Sequence, residues 1–121
     1  MRYNGVRVVE QCAWVVDFYL DARERNPVRD FIEGLGKQEQ AKIFRVLKLL
    51  QEYGPLQGGI DARPIAGMWE LKISAERIFY FAYTGQRVIL LHGYHKQSQK
   101  APKREIETAR RRMAEFMERG Q

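Results

Sequence analysis

A run of three short strands between residues 68 and 94 limits the fold of this chain more than any other feature. In the first strand, Leu71 and Ile73 alternate with Glu70 and Lys72, which is the pattern of a strand with one buried face. Short turns separate the three strands, so an antiparallel meander is expected. The strands are predicted from Pro64 or Met68 to Ile73, from Arg77 to Thr84, and from Arg87 to about Tyr94, with Thr84-Gly85-Gln86 as the last turn.

Two helices are predicted before this meander. Asn26 and Pro27 make a helix start, because asparagine caps a helix and proline fits its first turn, and this helix would stop at Gly36. A second helix is predicted over residues 37–53, with Gly54-Pro55 as its stop. Its apolar residues fall at three- and four-residue spacing: Ile43, Val46, Leu47 and Leu50.

The ends of the chain supply the remaining elements. Residues 13–20, AWVVDFYL, are rich in β-branched and aromatic residues and predict a strand. Val6 to Glu10 has a weaker extended pattern, and residues 56–62 form a turn-rich connector. Pro102 opens a final helix, whose apolar stripe contains Ile106, Ala109, Met113, Phe116 and Met117.

These elements predict a single α+β domain over residues 1–121, with a small, mostly antiparallel sheet. The two N-terminal helices are expected to pack on one face of the sheet and to leave part of the other face open. The first strand joins the meander at an edge or in the middle, and the sequence does not distinguish these positions. The Arg110-Arg111-Arg112 run on the last helix is either solvated or borders the open side.

Positive charge is concentrated in the half of the chain that contains the meander. Residues 1–62 hold nine basic and nine acidic residues, whereas residues 63–121 hold twelve and six, which accounts for the net charge of +6. Localised positive charge on a small domain is typical of nucleic-acid binding. A solubilising surface or a surface that binds an acidic protein would carry the same charge.

The remaining composition narrows the class of protein. No apolar run is long enough to span a bilayer, and the N-terminus lacks a signal-peptide pattern, so a cytoplasmic protein without membrane contact is expected. The single Cys12, on a probable strand, is interpreted as a buried structural thiol, and no metal site or other cofactor is expected.

Four segments give the chain a resemblance to a known family. They are Asn26–Phe31 at the first helix start, Gly67–Ile73 and Arg77–Tyr80 in the sheet, and Leu91–Pro102 at the sheet exit. In order and spacing they resemble the RelE/ParE superfamily of toxins, in particular its HigB-like branch with phage-derived members. The resemblance covers residues 15 to about 112.

This resemblance implies a RelE-like fold and the toxin of a type II toxin–antitoxin system. It implies a metal-independent endoribonuclease that cleaves mRNA on the ribosome, through attack of the ribose 2′-OH on the adjacent phosphorus. A cognate antitoxin, HigA-like and with a helix-turn-helix, would be its partner. A gyrase-directed toxin on the same fold and a non-enzymatic binding module are the alternatives.

Three residues are assigned to catalysis. Cleavage of RNA without a metal needs a base, an acid and cations around the pentavalent phosphorus. Arg77 falls on the position of the superfamily's arginine, and arginine can hold two phosphate oxygens, so it is assigned to the scissile phosphate. Lys96 is assigned to phosphate binding and to proton transfer. His95, beside it, is the preferred general base.

Five further cations are assigned to RNA binding, and each has a simpler structural role open to it. Lys72 points away from the core, as any solvent-facing strand lysine does. Arg63 is either an RNA contact or an ion-pair partner of Glu70 or Asp61. The remaining three flank the last helix start, where positive charge opposes the helix dipole: Lys100, Lys103 and Arg104.

The histidine and tyrosine candidates fit structural roles. His92 has the opposite strand parity to His95, so the two histidines should face opposite sides of a regular strand. A satisfied strand histidine is the preferred interpretation of His92. Tyr80 and Tyr94 have the spacing of core aromatics, although either side chain is able to stack on a base or to donate a proton.

Overall fold

A computed structural model describes residues 14–55, 58–97 and 102–120. The elements follow the order strand, two helices, four strands, helix. The strands are β1 (Val15–Phe18), β2 (Ala62–Ile65), β3 (Met68–Ile73), β4 (Glu76–Tyr83) and β5 (Arg87–His95), and the helices are α1 (Pro27–Glu33), α2 (Lys37–Tyr53) and α3 (Lys103–Arg119).

All five strands form one sheet in the order β1-β5-β4-β3-β2. The pairs from β2 to β5 are antiparallel, and β1 runs parallel to β5. The predicted α+β class with a mostly antiparallel sheet is therefore confirmed. The first strand lies at an edge of the sheet, which resolves a position that the sequence left open.

Helices α1 and α2 pack together on one face of the sheet, as predicted. The Asn26 side chain caps α1 by accepting a hydrogen bond from the Arg29 amide at 3.0 Å. The helix ends at Glu33 rather than at Gly36, because the Gly34 amide already closes the last turn on Asp30 and Phe31. The core of this face contains Val28, Ile32, Ile43, Leu47, Leu50, Leu71, Ile73, Ile78, Tyr80, Val88 and Leu90.

Helix α3 covers part of the opposite face. Its Ala109 and Phe116 are buried there together with Tyr19, Met68, Phe79, Phe81, Ile89, Leu91 and Tyr94. Met117, predicted to belong to the apolar stripe, is instead 56% exposed. It follows Phe116 by one residue, and neighbouring residues of a helix do not face the same side. The part of this face beyond the N-terminal end of α3 carries the site described below.

Strand β2 was not predicted as a separate strand. Pro64 belongs to this strand, where it lies opposite Trp69, and β3 begins at Met68. β2 is an edge strand, and an edge tolerates a proline because one side of the strand needs no hydrogen-bond donors. The predicted connector over residues 56–62 therefore ends one residue early, because Ala62 pairs with Leu71.

A β-bulge in β5 changes which side chains share a face. Phe79 pairs with His92, whereas the next residue, Tyr80, pairs with Leu90, so Leu91 is an extra residue on β5. Leu91 and His92 consequently both lie on the α3 side. Beyond the bulge, Tyr94 faces the same side as Arg77.

Some predictions lie outside the described residues: the extended segment from Val6 to Glu10, the strand position of Cys12 and the RNA contact of Lys100. Within the described ranges, no helix is both long and apolar enough to cross a membrane.

Candidate functional site

The uncovered part of the α3 face contains a cleft of about 350 Å³. We call it the cationic cleft; it is lined by Asp61, Arg63, Glu70, Lys72, Arg77 and Lys96. Four cations thus face two carboxylates. The cleft receives side chains from β2, β3, β4 and the end of β5, which are adjacent at this end of the sheet.

Arg77 is a rigid cation in this cleft. Only 8% of its surface is exposed, and its Nη1 donates to the carbonyl oxygens of Ser74 at 2.8 Å and Glu76 at 2.9 Å. Ser74 lies in the β3–β4 turn with a positive φ of 56°. Because the turn uses both hydrogens of Nη1, the N–H groups on Nε and Nη2 are the ones that can donate to a ligand.

Glu70 is a buried carboxylate next to these cations. Its side chain accepts hydrogen bonds from the Tyr94 hydroxyl at 2.6 Å and from Arg63 Nε at 2.7 Å. Burial raises the pKa of this carboxyl, but the bonds from Tyr94 and Arg63 and the charges of Arg63 and Lys96 outweigh burial and lower the pKa below its ordinary value. Glu70 is therefore ionised at neutral pH. Burial and the bond to Glu70 raise the pKa of Tyr94, which stays protonated as a donor.

Two lysines complete the cleft. Lys72 on β3 lies opposite Arg77 on β4, and its side chain is exposed, as expected for an outward-facing strand lysine. Lys96 follows β5, and its backbone amide donates to the Ala75 carbonyl at 2.8 Å. This bond anchors the chain beside the β3–β4 turn, so that Lys96 reaches the same cleft as Arg77.

His95 does not line the cationic cleft. It is paired with Glu76 on the opposite side of β5, and its Nδ1 lies 3.0 Å from Glu76 Oε2. Neighbouring strand residues face opposite sides, so His95 and Lys96 diverge. Lys103 and Arg104 are exposed at the start of α3, and Arg104 lines a separate depression with His95. The structure therefore brings together Arg63, Lys72, Arg77 and Lys96, but not His95, Lys103 or Arg104.

His92 is a satisfied histidine that joins β5 to α3. Its Nε2 lies 2.5 Å from Glu105 Oε1, and Arg112 Nη1 lies 3.0 Å from its Nδ1. Burial lowers its pKa, and the nearby Arg112 adds to this effect, so the ring is neutral with Nδ1 accepting from Arg112 and Nε2 donating to Glu105. The ring stacks on Phe79 and Tyr94.

Glu70 and Asp61 were expected only as alternative ion-pair partners of Arg63, and the pair with Glu70 is confirmed at 2.7 Å. Glu70 has the same parity as Lys72 on β3, so the alternation that directs Lys72 outward also places Glu70 on the cleft side. Asp61 lies just before β2, a strand that was not predicted. The ring of Tyr94 packs in the core, as its spacing predicts, and its hydroxyl donates a hydrogen bond to Glu70. Tyr80 is fully buried on the other face.

The buried Glu70 carboxylate should make stability depend on pH. Its pKa is lower in the folded protein than the ordinary value of 4.5, so its stabilising effect is present above that value and is lost as the pH falls through the folded-state pKa. We expect Glu70→Gln to flatten the decrease in the free energy of unfolding as the pH falls below the ordinary pKa of 4.5. Urea unfolding across this pH range measures the free energy of unfolding. Equal pH slopes in the wild type and the variant would contradict the lowered pKa of Glu70.

Comparison with known proteins places the chain in a class and then in a family. The fold is RelE-like: a chain of the toxin–antitoxin complex RelBE2 from Mycobacterium tuberculosis matches with a TM-score of 0.51 at 17% sequence identity, covering 71% of this chain and 94% of that chain. The family model described as Phage derived protein Gp49-like (DUF891) matches residues 30–114, and the chain belongs to this family. No curated protein matches significantly. The predicted resemblance is confirmed.

Proposed function

We propose that this protein is the toxin of a type II toxin–antitoxin system and that it cleaves mRNA on the ribosome. The observation that carries the proposal is the cationic cleft, in which the fixed guanidinium of Arg77 lies beside Lys72 and Lys96. Family membership and the RelE-like fold support the same conclusion. Its partner would be an antitoxin of the HigA-like, helix-turn-helix type.

In the proposed reaction, the 2′ oxygen of a ribose attacks the adjacent phosphorus. A bond from this oxygen to phosphorus forms, the bond from phosphorus to the 5′ oxygen breaks, and the products are a 2′,3′-cyclic phosphate and a free 5′-OH. The 2′-OH would pass its proton to water, and the departing 5′ oxygen would take one from Lys96. Arg77 and Lys72 would hold the phosphate oxygens, and Lys96 would bind phosphate and protonate the departing oxygen.

The acid–base side chains of this cleft suggest why cleavage of mRNA would need the ribosome. Glu70, its buried carboxylate, is held by Tyr94 and Arg63 and has a lowered pKa, so it is a weak base. The cleft is better suited to stabilising charge than to removing a proton. Alignment of the 2′-OH by the ribosome would compensate, because positioning lowers barriers by roughly 7–11 kcal/mol in favourable cases.

We expect the purified protein to cleave naked mRNA poorly and to cleave the same mRNA efficiently once it is bound in the ribosomal A site. The reason is the weak basic capacity of the cleft. Primer extension on a programmed ribosome complex, with the same mRNA alone and the ribosome complex without protein as controls, measures the difference. Efficient cleavage of naked mRNA would refute the ribosome dependence.

A further inference from the structure

A second basic cleft lies on the face of the sheet that α3 covers, beside the C-terminal half of this helix. It has a volume of about 540 Å³ and opens between the loop after β1 and the C-terminal half of α3. We call it the arginine cleft after the side chains that line it: Arg23, Arg25, Arg111, Arg112 and Arg119. It borders β1, at the opposite edge of the sheet from β2.

Two of these arginines are held by the core. Arg112 donates from Nη1 to the Leu91 carbonyl at 3.1 Å, and its guanidinium lies 5.6 Å from the centre of the Tyr19 ring. Arg119 lies 5.5 Å from the same ring and donates to the Leu20 carbonyl at 2.5 Å. Both guanidinium groups are thus oriented before any ligand binds, which lowers the entropic cost of binding.

The acidic side chains of this cleft are already engaged. Asp21 pairs with Arg25 at 2.8 Å and also accepts from the backbone amides of Arg23 and Arg25. Glu115 accepts from the Tyr19 hydroxyl and lies 3.5 Å from Arg119. Five arginines therefore face two committed carboxylates, an excess of three positive charges.

Arg23 and Arg111 are the cations of this cleft that are available to a ligand. Both are exposed, one on the loop after β1 and one on α3, and neither forms an ion pair within the described ranges. They face the cleft from its two walls. An anion that enters would meet these two guanidinium groups together with the oriented pair, Arg112 and Arg119.

We infer that the arginine cleft binds phosphates of an RNA backbone at a distance from the scissile phosphate, an inference that rests on the proposed function. Guanidinium groups match phosphate oxygens in pairs, and several arranged around a concave surface suit a chain of regularly spaced phosphates. Both clefts lie on the face of the sheet that carries α3, which is the face on which the cationic cleft would bind RNA. An acidic peptide would gain the charge attraction but has no reason to extend to the cationic cleft.

The test compares neighbouring arginines. Arg111→Gln and Arg23→Gln remove exposed cations of the cleft, whereas Arg110→Gln removes an exposed charge from the same helix outside the cleft. Fluorescence anisotropy with labelled single-stranded RNA, repeated over a series of salt concentrations, gives the affinity and its salt slope. Each cleft variant should lower the slope by about 0.7, which is about fivefold in affinity at 0.1 M salt, and the control should change neither. Thermal unfolding checks that all three variants stay folded.

Equal losses in Arg110→Gln and Arg111→Gln, or no loss in either cleft variant, would overturn the inference. Labelled polyglutamate serves as the second probe. Loss of polyglutamate binding in the cleft variants with unchanged RNA binding would assign the cleft to an acidic protein partner instead. Because RNA affinity is measured without cleavage, a cleft that binds RNA in a protein that cuts no mRNA would refute the proposed function and leave this inference standing.

Discussion

Replacing Arg77 with alanine is expected to abolish growth arrest when the protein is expressed in bacteria. The substitution removes a guanidinium that the β3–β4 turn holds in position through Ser74 and Glu76. Loss of one preoriented donor to a developing negative charge typically lowers a rate by about 10²–10³-fold. A binding module would instead lose affinity modestly, because it needs positive charge but no particular arginine.

Mapping of mRNA 5′ ends after induction measures this effect directly. In-frame cuts in translated messages should occur with the wild type and be absent with Arg77→Ala. Arg110→Ala is the matched control, since it removes an arginine that is exposed and lies outside the cationic cleft. Arg77 is mostly buried, so thermal unfolding of the purified variant separates lost chemistry from lost folding, and Arg77→Lys tests whether charge alone suffices.

Two results would redirect the assignment. Growth arrest with intact mRNA and a DNA damage response would favour a gyrase-directed toxin on this fold. Absence of both toxicity and new 5′ ends in the wild type would favour a binding module, and the catalytic roles of Arg77 and Lys96 would be withdrawn.

Gly93→Ala is expected to destabilise the protein by about 1–3 kcal/mol, a typical cost of overpacking. Gly93 lies on the side of β5 that faces α1, and an added Cβ would lie 2.4 Å from Cδ2 and 2.8 Å from Cε2 of Phe31. These distances are far below van der Waals contact, so the Phe31 ring or the strand must move. The glycine in the segment Leu91–Pro102 is thus required by packing.

A double-mutant cycle isolates this collision. In a Phe31→Ala background the obstructing ring is gone, so Gly93→Ala should cost much less, and the difference is the interaction energy of the pair. Gly58→Ala is the control, because an added Cβ there meets nothing within 4 Å, and it should change stability by at most about 0.5 kcal/mol. Urea unfolding measures each of these proteins. An unchanged cost in the Phe31→Ala background would show that the backbone, and not this ring, requires glycine.

Local patterns were sufficient to predict most of the fold. The cap at Asn26, the spacing of apolar residues in α2 and the alternation in β3 each report directly on their own element. Strand β2 was missed because it is four residues long and contains Pro64, and its partner strand determines its existence more than its own sequence does. The edge position of β1 depends on a parallel pairing with β5, a long-range contact that no local pattern encodes.

The cationic cleft was predictable to a similar extent. Arg77, Lys72 and Lys96 were assigned on strand position and family resemblance, and the structure places them in one cleft. His95 was chosen because it adjoins Lys96 in sequence, but adjacency along a strand separates two side chains across the sheet. The pairing of Glu70 with Arg63 is one of the two alternatives that the sequence offers, whereas its hydrogen bond from Tyr94 joins residues 24 positions apart, a contact that no local pattern encodes.

The bulge at Leu91 determines which face of the sheet each later side chain of β5 occupies. If β5 alternated regularly through Leu91, without the bulge, His95 would face the Arg77 side and Lys96 would face away from it. The bulge therefore determines whether an amine or an imidazole faces the Arg77 side, while the composition of the segment stays the same. A strand of the same sequence without the bulge would present His95, and not Lys96, on the face that carries Arg77.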